Sequence, residues 1–317
     1  MLPRLGRWLV VLAALLAAAP AGAYCRTRTC EFRRNVQCAL EPGTGCSLDG
    51  PYVFWPDSCI PFAVQRDGSA RDGFSAALLE TLIEDGFRVW SEVPCPRGGS
   101  PELAAASQGP IACDEVEYDC QERESNSNVM LFRDDFVDAN PGLHLGVIAL
   151  TTLTANTRTG EIFDADMEIN TRDEDFVLEG AEGIADGELS LRGVVYHELG
   201  HLLGLSHSWV EGALMRAAYE GNLEPGADDI DGICAASIVS DDDPNCVTAP
   251  LGADTGCVGH DVSCTTSRAP LVDERGCACG LAGAAAEGSS RWLGLGWAAG
   301  ALLFGRLRRS RRSRSVL

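Results

Sequence analysis

Three histidines and one glutamate are concentrated in the eleven residues HELGHLLGLSH, His197 to His207, of a chain that has only five histidines. On a helix, His197 and His201 are four positions apart, so they lie on one face a single turn apart and both imidazoles can reach one ion. Glu198 is rotated away from them by about 100° around the helix. Its carboxylate can therefore stay off the ion and hold a water molecule beside it.

A third ligand is predicted where the helix ends. Gly204 lets the backbone leave the helix in a conformation that a residue with a Cβ avoids, and the turned chain brings His207 back toward the ion. Three protein ligands leave a position for water, which is typical of a catalytic zinc. Zinc lowers the pKa of that water and polarises a carbonyl oxygen, while Glu198 accepts the proton as general base and passes it to the leaving amine. The motif thus predicts peptide-bond hydrolysis without a covalent intermediate.

The motif and a methionine that follows it resemble the metzincin zinc peptidases and, within them, the matrixins. Ser208 follows the third histidine as in matrixins, and Met215, in HSWVEGALM, matches the family's Met-turn. The resemblance implies that Met215 packs beneath the imidazoles without binding zinc. It also implies that Tyr219 lines the primary specificity pocket, although Ala217 stands where the family has a proline.

The resemblance extends over roughly Pro51 to Val239, where FRVWSEV, FDADMEIN and DDIDGI also match the family. It implies the α/β (α+β) fold of a metzincin catalytic domain. This fold has a mixed five-stranded sheet, mostly parallel with one antiparallel edge strand, together with long helices and a small C-terminal subdomain after Gly204. Extended polypeptide substrates would add a strand at the edge formed by about Gly146 to Thr151.

Other metal sites are predicted less directly. The structural zinc of the family needs three further histidines, whereas only His144 and His260 remain here, so we expect one zinc ion. The resemblance and the oxygen chemistry of carboxylates imply Ca²⁺ at Asp164, Asp166 and Glu168. A solvated acidic turn is the alternative interpretation of these three residues.

The elements that must position these residues follow from apolar periodicity. An amphipathic helix is predicted over Phe74–Val93, a second helix opens near Leu189 and carries the histidines, and a third spans Ala227–Val239. Strands are predicted at Cys59–Gln65, Asn128–Arg133, Leu145–Thr152 and Glu161–Asn170. The segment that carries Cys95, Cys113 and Cys120 is predicted to be a loop.

The chain begins with a predicted signal peptide, residues 1–23. Arg4 and Arg7 precede an apolar run, and Ala21–Ala23 is a small-residue cleavage site. A transmembrane anchor is the alternative, but about 12 apolar residues are few for a membrane span.

Export would explain the large number of cysteines. Twelve of them, an even set, lie between the leader and residue 276 and predict disulfides, because thiols pair in oxidising compartments. A cysteine zinc site is disfavoured because these twelve contain no CxxC.

Five segments follow from this organisation. They are the signal peptide 1–23, a Cys-rich N-terminal extension 24–50, the catalytic domain 51–239, an acidic Cys-containing linker 240–276, and a C-terminal segment 277–317.

The end of the chain resembles the C-terminal sorting signals of myxobacteria. It contains GCACG (Gly276–Gly280), then a short apolar run and an arginine cluster. The apolar run of about 13 residues would reach about 20 Å as a helix, less than the ~30 Å hydrocarbon core. A frayed or amphipathic tail is the alternative.

The chain is acidic, with 46 Asp and Glu against 25 basic residues and a net charge of −21. Such a surface repels nucleic acid, so nucleic acid is not expected as a partner.

The signal peptide, the histidine motif and the tail together predict a secreted or cell-surface monomer. It is expected to act on polypeptides and to contact a membrane only through its tail before processing. A catalytically inactive binding or adhesion module on a metzincin scaffold is the alternative. Glu198 argues against it, because a scaffold needs no general base.

Overall fold

The computed structural model describes residues 24–32, 37–121, 126–140, 146–178, 184, 188–240, 246–258 and 272–280. All of them belong to one compact unit that ends at Ala284. The predicted signal peptide, the tail after Gly280, His144 and His260 lie outside the described residues. Among the helices of the described part, none is long and apolar enough to cross a membrane.

The described residues form ten strands, four α-helices and a 3-10 helix at Thr29–Phe32. The helices are α1 Ala76–Ser91, α2 Phe136–Ala139, α3 Leu191–Leu202 and α4 Ala227–Ala236. The strands are β1 Cys59–Gln65, β2 Ser100–Pro101, β3 Ala104–Ile111, β4 Val129–Phe132, β5 Val147–Asn156, β6 Ile162–Ile169, β7 Phe176–Val177, β8 Leu189–Ser190, β9 Val239–Ser240 and β10 Val272–Gly280.

The central sheet has the strand order β10-β5-β6-β4-β1-β3. The pairs β1–β3, β1–β4 and β4–β6 are parallel, whereas β5 is antiparallel to β6. The predicted mixed, mostly parallel sheet of five strands is therefore confirmed, but its antiparallel strand β5 is not at the edge, because β10 pairs with its other side. The strand β3 was missed, because its sequence AAASQGPI contains few β-branched residues and includes Gly109 and Pro110.

A sixth strand lies outside β5. The nine residues of β10, VDERGCACG, pair antiparallel with β5 from Val272, opposite Asn156, to Gly280, opposite Val147. This stretch includes the end of the predicted linker and the GCACG of the predicted sorting signal. It shows no alternation of apolar and polar residues, so no strand was predicted here.

Helix α1 packs its apolar face against the sheet and against α3. Ser75 caps its start by accepting a hydrogen bond from the Leu78 amide, and Phe87 and Trp90 are among its buried residues. The Trp90 indole also donates to the Tyr196 carbonyl of α3 at 2.9 Å. Full burial of one large apolar side chain stabilises a fold by about 1.5–3 kcal/mol, so this face holds the two helices together.

Disulfides join cysteines within and beyond the predicted catalytic domain. Five bonds join Cys25–Cys46, Cys30–Cys38, Cys59–Cys246, Cys95–Cys234 and Cys113–Cys257, and Cys120 is also disulfide-bonded. Two of them close the N-terminal extension, which also packs beside the histidine motif: the Thr27 amide donates to the Gly204 carbonyl at 3.0 Å. The predicted use of cysteines as disulfides is confirmed.

Candidate functional site

The three histidines of the motif converge on one point. Helix α3 begins at the capping residue Ser190 and places His197 and His201 one turn apart, both buried. Gly204 then takes a positive φ of 92°, as predicted, and the chain returns to bring in His207. The Nε2 atom of His201 lies 3.1 Å from the Nε2 of His197 and 3.1 Å from that of His207.

Hydrogen bonds fix which nitrogens face this point. His197 Nδ1 lies 2.7 Å from the Leu214 carbonyl and His201 Nδ1 lies 2.9 Å from the Leu205 carbonyl. A carbonyl only accepts, so each Nδ1 carries the hydrogen. Burial lowers the pKa of His197 to about 4 and that of His201 well below its ordinary value, so both rings are neutral at neutral pH. Their Nε2 atoms therefore face each other with lone pairs.

Facing lone pairs at this distance repel unless a cation lies between them. The pKa of His207 is also lowered by burial, to about 3, so a third neutral imidazole is available. Tetrahedral zinc with Zn–N bonds of ~2.0–2.1 Å places neighbouring nitrogens about 3.3 Å apart. The observed 3.1 Å separations fit this ion.

A second group of potential ligand atoms is Cys113, Glu117 and Cys257. Its two sulfurs form a disulfide with each other, so they are not thiolate ligands. Among the described residues, the histidine triad is thus the group whose chemistry suits zinc.

Glu198 lies beside the triad and is fully buried. Its Oε2 accepts a hydrogen bond of 2.6 Å from the hydroxyl of Thr151 on β5. From the sequence, Thr151 was predicted only as part of the substrate edge. Glu198 lies 47 positions later in the chain, so its contact with Thr151 depends on how β5 crosses α3. No local sequence pattern indicates this crossing.

The Met-turn is held by a carboxylate from α4. Asp229 accepts hydrogen bonds from the amides of Leu214 at 2.6 Å, Met215 at 3.1 Å and Gly226 at 2.8 Å. The Leu214 carbonyl in turn accepts from His197, so Asp229 positions His197 through this turn. Burial raises the pKa of Asp229, and its three amide donors oppose that rise.

Met215 itself is buried beneath the ligand helix. A Cβ placed on Gly200 would lie 2.2 Å from the Met215 sulfur, so the glycine of HELGH permits this close approach. Beside it, the Ser208 amide donates to the Met215 carbonyl at 2.7 Å, and the Ser208 hydroxyl donates to Asp228 at 2.6 Å. Met215 is thus buried against the helix that carries His197 and His201, and its role as the Met-turn residue stays a prediction.

Tyr219 lies at a small cavity next to His197. Its hydroxyl oxygen accepts a hydrogen bond of 2.6 Å from the Ser190 amide, which ties it to the start of α3. The cavity has a volume of about 10 Å³, enough for a single water. It is lined by Gly193, Val194, His197, Ala213, Leu214, Arg216, Tyr219, Glu220, Gly221 and Asn222.

The three carboxylates predicted to bind calcium alternate along β6 and are buried. Asp166 accepts from the amides of Val129 at 2.7 Å and Glu117 at 3.2 Å, and burial raises its pKa. Glu168 accepts from the Arg133 guanidinium at 2.5 Å. Asp164, Asp166 and Glu168 thus lie in a strand, not in a solvated turn. Calcium binding by them stays a prediction.

The mixed sheet, the ligand helix with its histidine triad and the buried methionine turn together define a metallopeptidase domain. A family model agrees: the Matrixin model matches residues 55–236. The match covers more than half of the chain, and the chain belongs to the matrixin family. Membership implies a zinc-dependent endopeptidase in general terms and a catalytic zinc ion.

Proposed function

We propose that this protein is an exported zinc endopeptidase that hydrolyses peptide bonds of extracellular proteins, with Glu198 as general base. The observation that carries the proposal is the convergence of neutral imidazole lone pairs, 3.1 Å apart, with a buried carboxylate next to them. A binding module would need neither feature. At least five disulfides support export, because such bonds persist in oxidising compartments.

The proposed mechanism assigns each residue one task. His197, His201 and His207 would hold the zinc, which when bound lowers the pKa of water and polarises the scissile carbonyl. Glu198 accepts the proton of the attacking water and delivers it to the leaving amine. The Thr151 hydroxyl orients that carboxylate.

The substrate is proposed to be an extended polypeptide cleaved by a monomeric enzyme. By the family resemblance Tyr219 lines the primary specificity pocket, and we propose that this pocket receives the side chain that follows the scissile bond. Since the cavity beside it holds only about 10 Å³, small side chains are expected there. Its rim carries the ion pair of Arg216 and Glu220, whose Nε and Oε1 atoms lie 3.0 Å apart.

The test is digestion of a proteome-derived peptide library by the purified protein, with and without a zinc chelator. We expect cleavage that the chelator abolishes, with Gly, Ala or Ser enriched directly after the cleaved bond. Cleavage that resists the chelator would contradict the zinc mechanism. A preference for large side chains at that position would contradict only the pocket assignment.

Thr151 offers a finer test of the mechanism. Thr151→Val removes the hydroxyl that donates to Glu198 and keeps the shape of the side chain. A hydrogen bond to a charged group contributes about 1.5–3 kcal/mol, so we expect kcat/KM to fall on the order of tenfold to a hundredfold. Because the lost donor stabilised the ionised carboxylate, the acid limb of the pH profile should move to higher pH.

Thr151→Ser is the matched control, since it keeps the hydroxyl. It should retain most activity and the wild-type acid limb. A valine variant that lost activity with an unchanged pH profile would show that Thr151 serves packing and not the general base.

A further inference from the structure

The outer edge of β5 is covered by the chain's own segment Val272–Gly280, strand β10. We propose that β10 occupies the substrate-binding edge and holds the endopeptidase in an inhibited state until the segment is displaced or removed. This inference rests on the proposed function. It adds to that function the segment that occupies the substrate-binding edge, β10, and a way in which the peptidase activity is regulated.

The pairing covers the part of β5 where an extended substrate is expected. Residues Val147 to Thr151 of β5 lie opposite residues 277–280 of β10, and the rest of β10 continues along β5 to Asn156. A strand edge presents one row of backbone donors and acceptors, so it pairs with one strand at a time. A substrate must therefore displace β10 before it can bind in this way.

The segment also passes close to the reacting groups. Its residue Cys277 is the backbone partner of Thr151, the residue whose hydroxyl lies 2.6 Å from Glu198. Residues of β10 come within 8 Å of residues of α3, measured between Cα atoms. The middle of the strand, not a remote end, thus runs past the general base.

Covalent attachment favours the internal strand over a free substrate. The chain that leads to β10 is anchored by the disulfide between Cys113 and Cys257, so the segment has a short tether to the domain. Short tethers give effective concentrations on the order of millimolar. A peptide substrate at micromolar concentration competes poorly, and the apparent KM should be raised on the order of tenfold or more.

The position of β10 also connects inhibition with the predicted processing of the tail. The GCACG motif forms the second half of the strand. Processing within that motif would leave about half of the backbone pairs with β5. Removal of the tail would then weaken the internal strand and open the edge.

The experiment replaces two residues of β10 in the full chain, Arg275→Pro together with Ala278→Pro. Proline lacks the amide hydrogen and is excluded from paired positions of strands. The two positions differ by an odd number, so one of the prolines removes an amide that faces β5. Arg275→Ser with Ala278→Ser is the matched control, which changes the same side chains and keeps both amides.

Two measurements are made on the wild type and both variants. Hydrogen–deuterium exchange of β5 reports whether its edge is paired, independently of any catalysis. Cleavage of a fluorescence-quenched peptide substrate gives KM and kcat. We expect faster exchange in β5 and at least a tenfold rise in kcat/KM, through KM, in the proline variant only. The peptide VDERGSASG, which lacks thiols that could bind zinc, should inhibit that variant competitively.

The outcomes separate this inference from the proposed function. Equal exchange of β5 in the proline and serine variants would overturn the occupancy. Faster exchange with an unchanged kcat/KM would overturn the inhibition. If no form of the protein cleaved peptides, the proposed function would fail and the inhibition with it, while exchange alone would decide whether β10 pairs with β5.

Discussion

Glu198→Ala is expected to lower turnover about 10²- to 10⁴-fold while zinc stays bound, because loss of a general base typically costs a factor of this size. The carboxylate lies outside the ligand set: its Oε2 accepts from Thr151, and the three imidazoles meet each other without it. The metal affinity should therefore change little. The result expected is a folded, zinc-loaded and nearly inactive protein.

The measurement is kcat on a peptide chosen from the library digest, together with zinc content by mass spectrometry. Glu198→Gln is the matched control for shape, since it keeps an oxygen that can accept from Thr151 but is a poor base. It should be as inactive as the alanine variant. If Glu198→Ala cleaved casein at the wild-type rate, the proposed mechanism would be wrong.

The convergence of the three histidines could be predicted from the sequence because its geometry is local. His197 and His201 share a helix face through their spacing of four, and Gly204 marks the turn that returns His207. The helix, the positive φ and the convergence of the three rings all follow from eleven consecutive residues. Helix periodicity and the turn at a glycine are therefore sufficient to predict that the three rings converge.

The residues that support the ligands are distant in sequence and were not predicted in their roles. Asp229 lies in the first turn of α4, yet its carboxylate also holds the turn that fixes His197. Thr151 reaches Glu198 through the crossing of a strand over a helix. Both contacts depend on tertiary packing, for which a single sequence contains no periodic signal.

Tertiary placement also explains why β10 was not predicted. A strand that pairs through its backbone needs no alternating side chains when its place is set by a neighbouring edge. The segment VDERGCACG therefore resembles a linker in sequence. The sequence also could not predict which cysteines pair with each other. An even number of cysteines indicates that disulfide bonds form but does not identify the partners.

His201→Ala is expected to abolish zinc binding and, with it, activity. His201 is the central member of the triad: its Nε2 lies 3.1 Å from each of the other two Nε2 atoms, and the residue is fully buried. Two imidazoles would remain, and they would lack the third donor that a catalytic zinc site uses. His207→Ala, in the less buried part of the site, should give the same loss with a smaller disturbance of the core.

Thermal unfolding distinguishes loss of metal from misfolding. A ligand present at about 1,000 times its Kd stabilises the folded state by about 4 kcal/mol, and for a domain of this size that shifts Tm on the order of 10 °C. A chelator should therefore lower the Tm of the wild type and of Glu198→Ala, because both hold zinc. It should leave the Tm of His201→Ala and His207→Ala unchanged. A histidine variant that still unfolded cooperatively, contained zinc and lost stability to the chelator would show that the ion is held elsewhere, and the lone pairs that face each other in the triad would then need another explanation.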